Sequence, residues 1–249
     1  MKKLLIAALV IFGFAATTRA EEPREITVFA AASLREAFED LAKTFEAKSG
    51  VKVRVNLAGS QELRTQIENG ARADVFASAD QKHMAALVKA KLVESPRVFV
   101  RNTPVVIVPK GNPAKVRSFE ELTKAKKLVI GVPEVPIGAY TLEILEKAGA
   151  DFKKKALANV VSRELNVRQV LAKVSLGEAD AGIVYRTDAS AAKDKVEIIE
   201  IPAKLNVIAE YPVAVLSKAP QPAAARAFVD LLLSADGQKR LAAAGFVAP

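Results

Sequence analysis

The chain has 249 residues, of which 37 are Lys or Arg, 28 are Asp or Glu, one is His and none is Cys. This composition excludes disulfide frameworks, Cys-ligated zinc, iron–sulfur clusters, thiol catalysis and poly-His metal sites. With 51% hydrophobic and 26% charged residues the chain is globular, and its length fits one large domain or two medium ones. The formal net charge of +9 raises the question of a nucleic acid or membrane partner.

The first twenty residues have the pattern of a secretory signal peptide. Lys2 and Lys3 precede an apolar run over 4–16, and the small residues Thr18 and Ala20 favour cleavage after Ala20. The run is short for a membrane anchor, because a spanning helix needs roughly 20 residues. No Cys follows the run to carry a lipid, so we expect an untethered protein in a bacterial periplasm.

The first part of the mature chain alternates strands with helices. Hydrophobic periodicity predicts strands over 25–31, 51–57 and 73–78, alternating with helices over 33–48, 60–69 and 80–90. This order implies a parallel sheet with helices on both faces. A long β-rich run over 97–109 follows, interrupted at Asn102-Thr103-Pro104.

A second α/β series follows the break at Gly111-Asn112-Pro113. It opens with a helix over 118–125, for which Ser118 and Glu121 suggest a capping box. The remaining predictions are strands over 128–132, 160–161, 181–185, 196–201 and 211–216, and helices over 138–148, 166–176, 222–233 and 235–244. The fold class is therefore α/β with two lobes, and the cleft between the lobes is the expected ligand site.

Motifs for enzymatic chemistry are missing. The sequence contains no G-x-G dinucleotide fingerprint, no phosphate-binding G-x-x-x-x-G-K-[ST] loop and no G-x-S-x-G elbow. A Ser-His-Asp triad would have to use His83, which we expect to be a solvated histidine at the polar start of a helix. The pair Glu120-Glu121 complements a helix dipole more readily than it forms an acid/base pair. We therefore expect no enzyme.

Three strand-to-helix junctions carry polar side chains at the helix start. Ser33, Ser60 and Asn166 occupy these places, and capping explains each one singly: Ser33 with Glu36 and Asn166 with Gln169 resemble capping boxes. The alternative is that several helix starts converge on one point and bind a dianion by N–H and O–H groups, without a cationic side chain. Tyr185, at the end of a predicted strand, lies where such a site would be.

The whole mature chain from about 26 to 246 resembles the periplasmic molybdate-binding proteins of ABC transporters, which are type II substrate-binding proteins. The ordered motifs that carry the resemblance are FAAASLREAFEDLA (29–42), AGSQELRTQIENGARADVFASAD (58–80), VPIGAY (135–140), NVRQVL (166–171), AGIVYRTDA (181–189) and EYPVAVL (210–216). The resemblance implies a two-lobed, type II periplasmic-binding-protein-like fold. We place the signal peptide at 1–20, lobe one at 24–102 plus 207–249, and lobe two at 103–206.

The family holds its oxyanion with two serines, two backbone amides and one tyrosine. The matching positions here are Ser33, Ser60, Ile137, Val167 and Tyr185. Ile137 departs from the small residue frequent in the family, which a backbone donor tolerates, although the cleft wall becomes bulkier. Relatives with octahedral metal coordination add carboxylates at places where this chain has Ile137 and Val167. We therefore expect a tetrahedral oxyanion held only by hydrogen bonds, with no directly coordinated metal and no cofactor.

The resemblance implies capture of molybdate, with tungstate held similarly, and delivery to an inner-membrane ABC permease by a monomer. The alternatives are a binding protein for sulfate, a phosphorus oxyanion or a ferric complex, an exported enzyme, and a DNA-regulator effector domain.

Loss of Lys2, Lys3 and Arg19 with the signal peptide, which holds no acidic residue, lowers the net charge from +9 to +6. The remaining basic residues form no stripe interleaved with aromatics, so no nucleic acid partner is expected. Arg35, Arg168 and Arg186 flank the donors, either as a steering field or as ordinary surface arginines.

Overall fold

The structure, a computed structural model, describes residues 25–249; the predicted signal peptide lies outside them. Residues 25–249 form ten strands and nine α-helices. The strands are β1 (Glu25–Ala31), β2 (Lys52–Ala58), β3 (Val75–Ala77), β4 (Val93–Asn102), β5 (Pro104–Pro109), β6 (Leu128–Gly131), β7 (Val160–Glu164), β8 (Ala181–Tyr185), β9 (Val196–Ile199) and β10 (Ala209–Leu216). The helices are α1 (Arg35–Ser49), α2 (Ser60–Glu68), α3 (Gln81–Lys89), α4 (Pro136–Lys147), α5 (Ala150–Ala158), α6 (Val167–Ser175), α7 (Arg186–Ala191), α8 (Pro222–Leu233) and α9 (Ala235–Ala243).

The strands form two five-stranded sheets with the same topology. The first sheet has the order β2-β1-β3-β10-β4, and the second has the order β7-β6-β8-β5-β9. In each sheet the first three strands run parallel, whereas the fourth strand pairs antiparallel with both of its neighbours. The two sheets confirm the α/β class and are consistent with two lobes.

Helices cover both faces of the first sheet at β1, because this strand is apolar on both sides. Along β1, Val28 and Ala30 pack into the main core, whereas Phe29 packs into a second cluster with Leu63 of α2 and Met84 of α3. On the main-core side, Phe38 of α1 contacts Phe99 and Phe228, with ring centroids 5.9 and 6.0 Å apart respectively. A strand buried on both faces needs this near-continuous apolar sequence.

The chain passes between the sheets twice, and an asparagine stabilises each crossing. At the first crossing, between β4 and β5, Asn102 donates a 2.8 Å hydrogen bond from its side-chain amide to the Thr187 hydroxyl. At the second crossing, between β9 and β10, the side-chain amide of Asn206 donates a 2.9 Å bond to the Pro104 carbonyl. The fourth strand of each sheet directly follows a crossing. The lobe boundaries at 102/103 and 206/207 remain predictions.

Several local predictions were wrong. Helices α5 and α7 were not predicted, and the segment over Phe119–Lys124 is a 3-10 helix rather than an α-helix. The Glu121 carboxylate accepts the Arg117 N–H, one residue before the expected capping-box position.

Ser33 lies in a 3-10 turn before α1, and its hydroxyl bonds to a distant tyrosine instead of capping a helix. Asn166 does cap α6, accepting the Gln169 N–H at 3.1 Å.

In residues 25–249, none of the helices combines the length and apolar character required to cross a bilayer.

Candidate functional site

A small cavity lies between the two sheets, where the parallel strands end at their carboxyl termini. Its empty volume, open mouth included, is about 210 Å³. The five predicted ligand contacts all line this cavity, namely Ser33, Ser60, Ile137, Val167 and Tyr185. The structure therefore brings together residues that are up to 152 positions apart in the sequence.

Two buried serines reach the cavity from the first sheet. Ser60 is the first residue of α2, and its Oγ accepts the backbone N–H of Ala79 at 3.0 Å. Because this oxygen already accepts a bond, the Ser60 hydroxyl hydrogen remains available for a ligand. Ser33 lies in the 3-10 turn after β1, with its Oγ 3.0 Å from the hydroxyl oxygen of Tyr211.

Tyr211 is the hydrogen-bond partner of the Ser33 hydroxyl. Burial, and then the negative charge of Asp188, raise the pKa of Tyr211 well above its ordinary value, so the phenol keeps its proton. When that proton is donated to Ser33, the Ser33 hydrogen is free to bond an anion. Tyr211 lies in the EYPVAVL motif, but sequence reasoning gave it no role in the site.

Two helix N-termini reach the cavity from the second sheet. Ile137 is the second residue of α4, after Pro136, and Val167 is the first residue of α6. Backbone N–H groups at these positions have no acceptor within their own helix and carry the positive end of the helix dipole. The Ile137 side chain is fully buried and packs near Gly131. The isoleucine side chain at position 137, where the family often has a small residue, is therefore accommodated in the core. The backbone N–H of Ile137 stays at the start of α4.

Gly138 explains how α4 comes so close to the end of β6. A Cβ atom added at Gly138 would lie 2.0 Å from the carbonyl oxygen of Val132 and 2.7 Å from that of Gly131. Only glycine permits this approach, which places the N-terminus of α4 at the cavity.

Tyr185 ends β8 at the cavity with a fully buried ring. Within the described residues, its hydroxyl has no hydrogen-bond partner, although burial raises the pKa of Tyr185 well above its ordinary value and keeps the group protonated. A buried hydroxyl without a partner is destabilising, so the Tyr185 O–H is available to donate a hydrogen bond to a ligand in the cavity. The ring lies edge-on to those of Tyr140 and Tyr211, with centroids 6.4 and 5.7 Å away. These are the three tyrosines of the chain.

The cavity is uncharged. Among the described residues, those that line it carry no charged side chain, and no cluster of three metal-ligating side chains occurs in 25–249. The three flanking arginines each pair with a carboxylate: Arg35 with Glu39, Arg168 with Glu36 and Asp188, and Arg186 with Glu200. Pairing cancels much of the field that unpaired arginines would produce at the cavity.

Contacts between the two lobes surround the cavity. Gln61 donates from Nε2 to the carbonyl of Leu165 at 2.7 Å, and Arg168 donates from Nη1 to Oε1 of Glu36 at 2.7 Å. The third contact joins His83 Nε2 to the Glu134 carbonyl at 2.8 Å. Together the three contacts hold the cleft closed.

The prediction of a solvated His83 was wrong, because the residue is only 2% exposed. It lies on the same face of α3 as Met84 and Leu87, which are both buried. Its position four residues before Leu87 was a signal that the side chain points inward.

Asp188 is a fully buried carboxylate behind the cavity. Burial raises the pKa of Asp188 to about 6, although the nearby Arg168 guanidinium opposes the rise. Arg168 Nε lies 2.6 Å from Oδ1 of Asp188, but the N–H direction does not meet hydrogen-bond geometry, so the contact is an ion pair. Burial lowers the pKa of Arg168, but Asp188 and Glu36 outweigh it and raise that pKa overall. Arg168 therefore stays charged.

A donor-lined cavity between two α/β lobes is the arrangement expected of a solute-binding protein. Residues 26–247 match the family model of bacterial extracellular solute-binding proteins, and the chain belongs to this family. The molybdate-binding protein ModA of Mycobacterium tuberculosis H37Rv is 41% identical over 256 residues, covering 99% of this chain and 95% of that protein. The family resemblance expected from the sequence is thereby confirmed.

Two solved structures extend the comparison. The substrate-binding domain of a putative molybdenum ABC transporter from Clostridium difficile is 34% identical, with a TM-score of 0.68 over 90% of this chain and 99% of that one. The sulfate-binding protein SubI of M. tuberculosis H37Rv is 22% identical, with a TM-score of 0.79 over 90% of this chain and 86% of that one. Identity this low shows the fold alone, so the fold by itself does not identify the anion.

Proposed function

We propose that this chain captures molybdate, and tungstate in the same way, for an ABC transporter. The observation that carries the proposal is the cavity itself, in which buried Ser33, Ser60 and Tyr185 hydroxyls and two helix N-termini converge without a charged side chain from the described residues. The molybdate-binding relative at 41% identity supports this choice of anion. The five proposed contacts are Ser33, Ser60, Ile137, Val167 and Tyr185.

The direction of each hydrogen bond favours an anion without protons. The Ser60 oxygen already accepts the Ala79 N–H, Tyr185 is held protonated, and backbone N–H groups only donate. Molybdate, tungstate and sulfate offer acceptors alone at neutral pH. Hydrogen phosphate carries a proton that needs an acceptor, and burying that proton without a partner costs about 1–3 kcal/mol.

Size separates molybdate from sulfate. Donors fixed by two lobes contact all oxygens of the larger ion together, whereas the smaller sulfate leaves some donors unpaired. Molybdenum would be held as its oxyanion, with no bond from a protein atom to the metal. Binding joins donors from both lobes, and it therefore favours the closed form that the permease recognises.

The proposal includes the location and the partner. A protein exported by the predicted 1–20 signal peptide would work as a monomer in the periplasm and deliver its anion to an inner-membrane permease. Capture without turnover fits the buried Tyr185, which burial holds as a donor and not as a base.

A thermal-shift panel tests the proposal. The protein is unfolded, dialysed free of anions and refolded, and then heated with molybdate, tungstate, sulfate or phosphate. Bound ligand raises Tm by mass action, so molybdate and tungstate should raise Tm most, and sulfate and phosphate should raise it less. A Tm that neither molybdate nor tungstate changes would contradict the proposed function, and a larger shift with sulfate would favour a sulfate-binding protein.

A further inference from the structure

We propose that His83 is a positioning residue that closes the cleft around the anion, an inference that rests on the proposed function. The hydrogen bond from His83 Nε2 to the carbonyl oxygen of Glu134, here termed the His83 latch, is 2.8 Å long and joins the two lobes. A carbonyl oxygen only accepts, so Nε2 must carry the hydrogen. The geometry therefore assigns the Nε2–H form to this buried imidazole.

On the lobe-two side, the latch holds the segment that supplies an anion donor. Glu134 is followed directly by Val135, Pro136 and Ile137, all of which line the cavity, and the Ile137 N–H is one of the proposed contacts. Holding the Glu134 carbonyl therefore fixes the start of α4 over the anion.

On the lobe-one side, the latch is connected to a serine donor. Asp80 caps α3 by accepting the His83 backbone N–H at 2.9 Å, and its Oδ1 also accepts the Ser78 hydroxyl at 3.2 Å. The neighbouring Ala79 donates its N–H to Ser60 Oγ at 3.0 Å. One continuous set of bonds thus runs from the Ser60 hydroxyl through the start of α3 to the opposite lobe.

Opening of the cleft separates His83 from Glu134, because the two residues lie on different lobes. The latch therefore stabilises the closed form alone, and its loss should increase the rate of anion release without destabilising the open protein. A residue that only supported the core of its own lobe would instead lower the stability of the ligand-free protein.

Nitrogen-15 NMR of the wild-type protein tests the latch directly, because the chain contains a single histidine and its imidazole signals need no assignment. With saturating molybdate we expect the Nε2–H form, with solvent exchange of that hydrogen about ten-fold slower than in anion-free protein. An Nδ1–H form, or equal exchange in both states, would overturn the proposal. If no oxyanion binds, the proposed function fails separately. The latch fails on its own when molybdate raises Tm, and so binds, but the imidazole hydrogen exchanges equally fast in both states.

Variants provide the second test. His83→Leu removes the donor at similar volume, and we expect molybdate release in stopped-flow tyrosine fluorescence to accelerate about ten-fold with an unchanged anion-free Tm. His83→Gln, whose amide can donate to the same carbonyl, should recover most of the wild-type rate. Lys82→Ala, an exposed position on the same helix, is the control. An unchanged release rate in His83→Leu, or a lowered anion-free Tm with no change in release, would contradict the latch.

Discussion

The two lobes share one sheet topology but contribute different chemistry to the cavity. Lobe one presents the serine hydroxyls of Ser33 and Ser60, each already in a hydrogen bond with its own lobe. Lobe two lines the cavity with Ile137 and Val167, the proposed backbone N–H donors, and with the Tyr185 hydroxyl, which has no partner among the described residues. The donors of lobe one therefore depend on side-chain identity, whereas the backbone donors of lobe two depend on where a helix begins.

The buried carboxylates show the same contrast. In lobe one, Asp74 accepts backbone N–H groups from Thr27 at 2.8 Å and Gln221 at 2.7 Å, and Asp80 caps α3. In lobe two, Asp188 lies behind the cavity and depends on the Arg168 ion pair. Backbone donors stabilise a carboxylate without a second charge, whereas an ion pair leaves a costly unpaired charge when either partner is lost.

The largest expected effect comes from preventing the two lobes from meeting. Gly59 has φ of −65° and ψ of 141°, which alanine also adopts, but an added Cβ would lie 2.4 Å from the Leu165 carbonyl oxygen of the opposite lobe. The Gln61 side-chain amide, also 2.4 Å away, is the end of a flexible side chain and can rotate aside, whereas the carbonyl cannot. Gly59→Ala should therefore weaken molybdate binding about 100-fold, at the upper limit of an overpacking cost of about 3 kcal/mol, without lowering the anion-free Tm. Calorimetry and thermal unfolding measure the two quantities, and wild-type affinity would show that the lobes need not approach this closely.

The second prediction separates the two kinds of donor. Ser60→Ala should weaken molybdate binding by about 1.5–3 kcal/mol, the usual value for a hydrogen bond to a charged group. Val167→Ala keeps its backbone N–H, so it should leave the affinity nearly unchanged and instead lower the free energy of unfolding by about 2 kcal/mol, since a buried side chain is truncated. Isothermal calorimetry and urea unfolding of both variants measure this contrast. A large affinity loss in Val167→Ala would mean that its side chain, and not its N–H, matters for the anion.

The third prediction concerns pH and the buried carboxylate of lobe two. Burial raises the pKa of Asp188 from 3.8 to about 6, so between these values the folded protein holds a proton that the unfolded chain releases. The stabilisation from this group is complete below pH about 4 and is lost as the pH rises through about 6, by about 2–3 kcal/mol. Asp188→Asn should remove this slope when the free energy of unfolding is measured from pH 4 to 7.

Asp194→Asn, at an exposed position of the same lobe, is the matched control for this pH experiment. If the free energy of unfolding of wild type and Asp188→Asn changed in parallel between pH 4 and 7, a raised Asp188 pKa would be contradicted.

The strands were predicted from local patterns, whereas the five cavity residues came from the family resemblance. Apolar runs predicted the strands, and polar residues at three strand-to-helix junctions left capping and anion binding both open. Helix α5 was missed because only Ala156 of its residues is buried, so it lacks an apolar stripe, and α7 was missed because its six residues are too few to show a period. Those errors concern elements without a local signal.

The contacts between the lobes were missed for a different reason. His83 and Glu134 are 51 positions apart, Gln61 and Leu165 are 104 apart, and Glu36 and Arg168 are 132 apart. Local periodicity indicates that a side chain faces inward, but it does not identify a partner on another lobe. The Ser33–Tyr211 hydrogen bond was missed for the same reason, since the two residues are 178 positions apart.

The smallest expected effect has opposite signs in the anion-free and bound protein. The Tyr185 hydroxyl is buried without a partner in the described part of the chain, so Tyr185→Phe should leave the anion-free protein as stable as wild type or more stable by about 1 kcal/mol. The same change removes a donor from the anion and should weaken molybdate binding about ten-fold. Urea unfolding with and without molybdate measures both effects in one experiment. Because the Ser33 oxygen is hydrogen-bonded to Tyr211, Ser33→Ala should instead lower the free energy of unfolding both with and without molybdate. If Ser33→Ala and Tyr185→Phe changed the anion-free stability equally, the contrast between the hydroxyls of the two lobes would be contradicted.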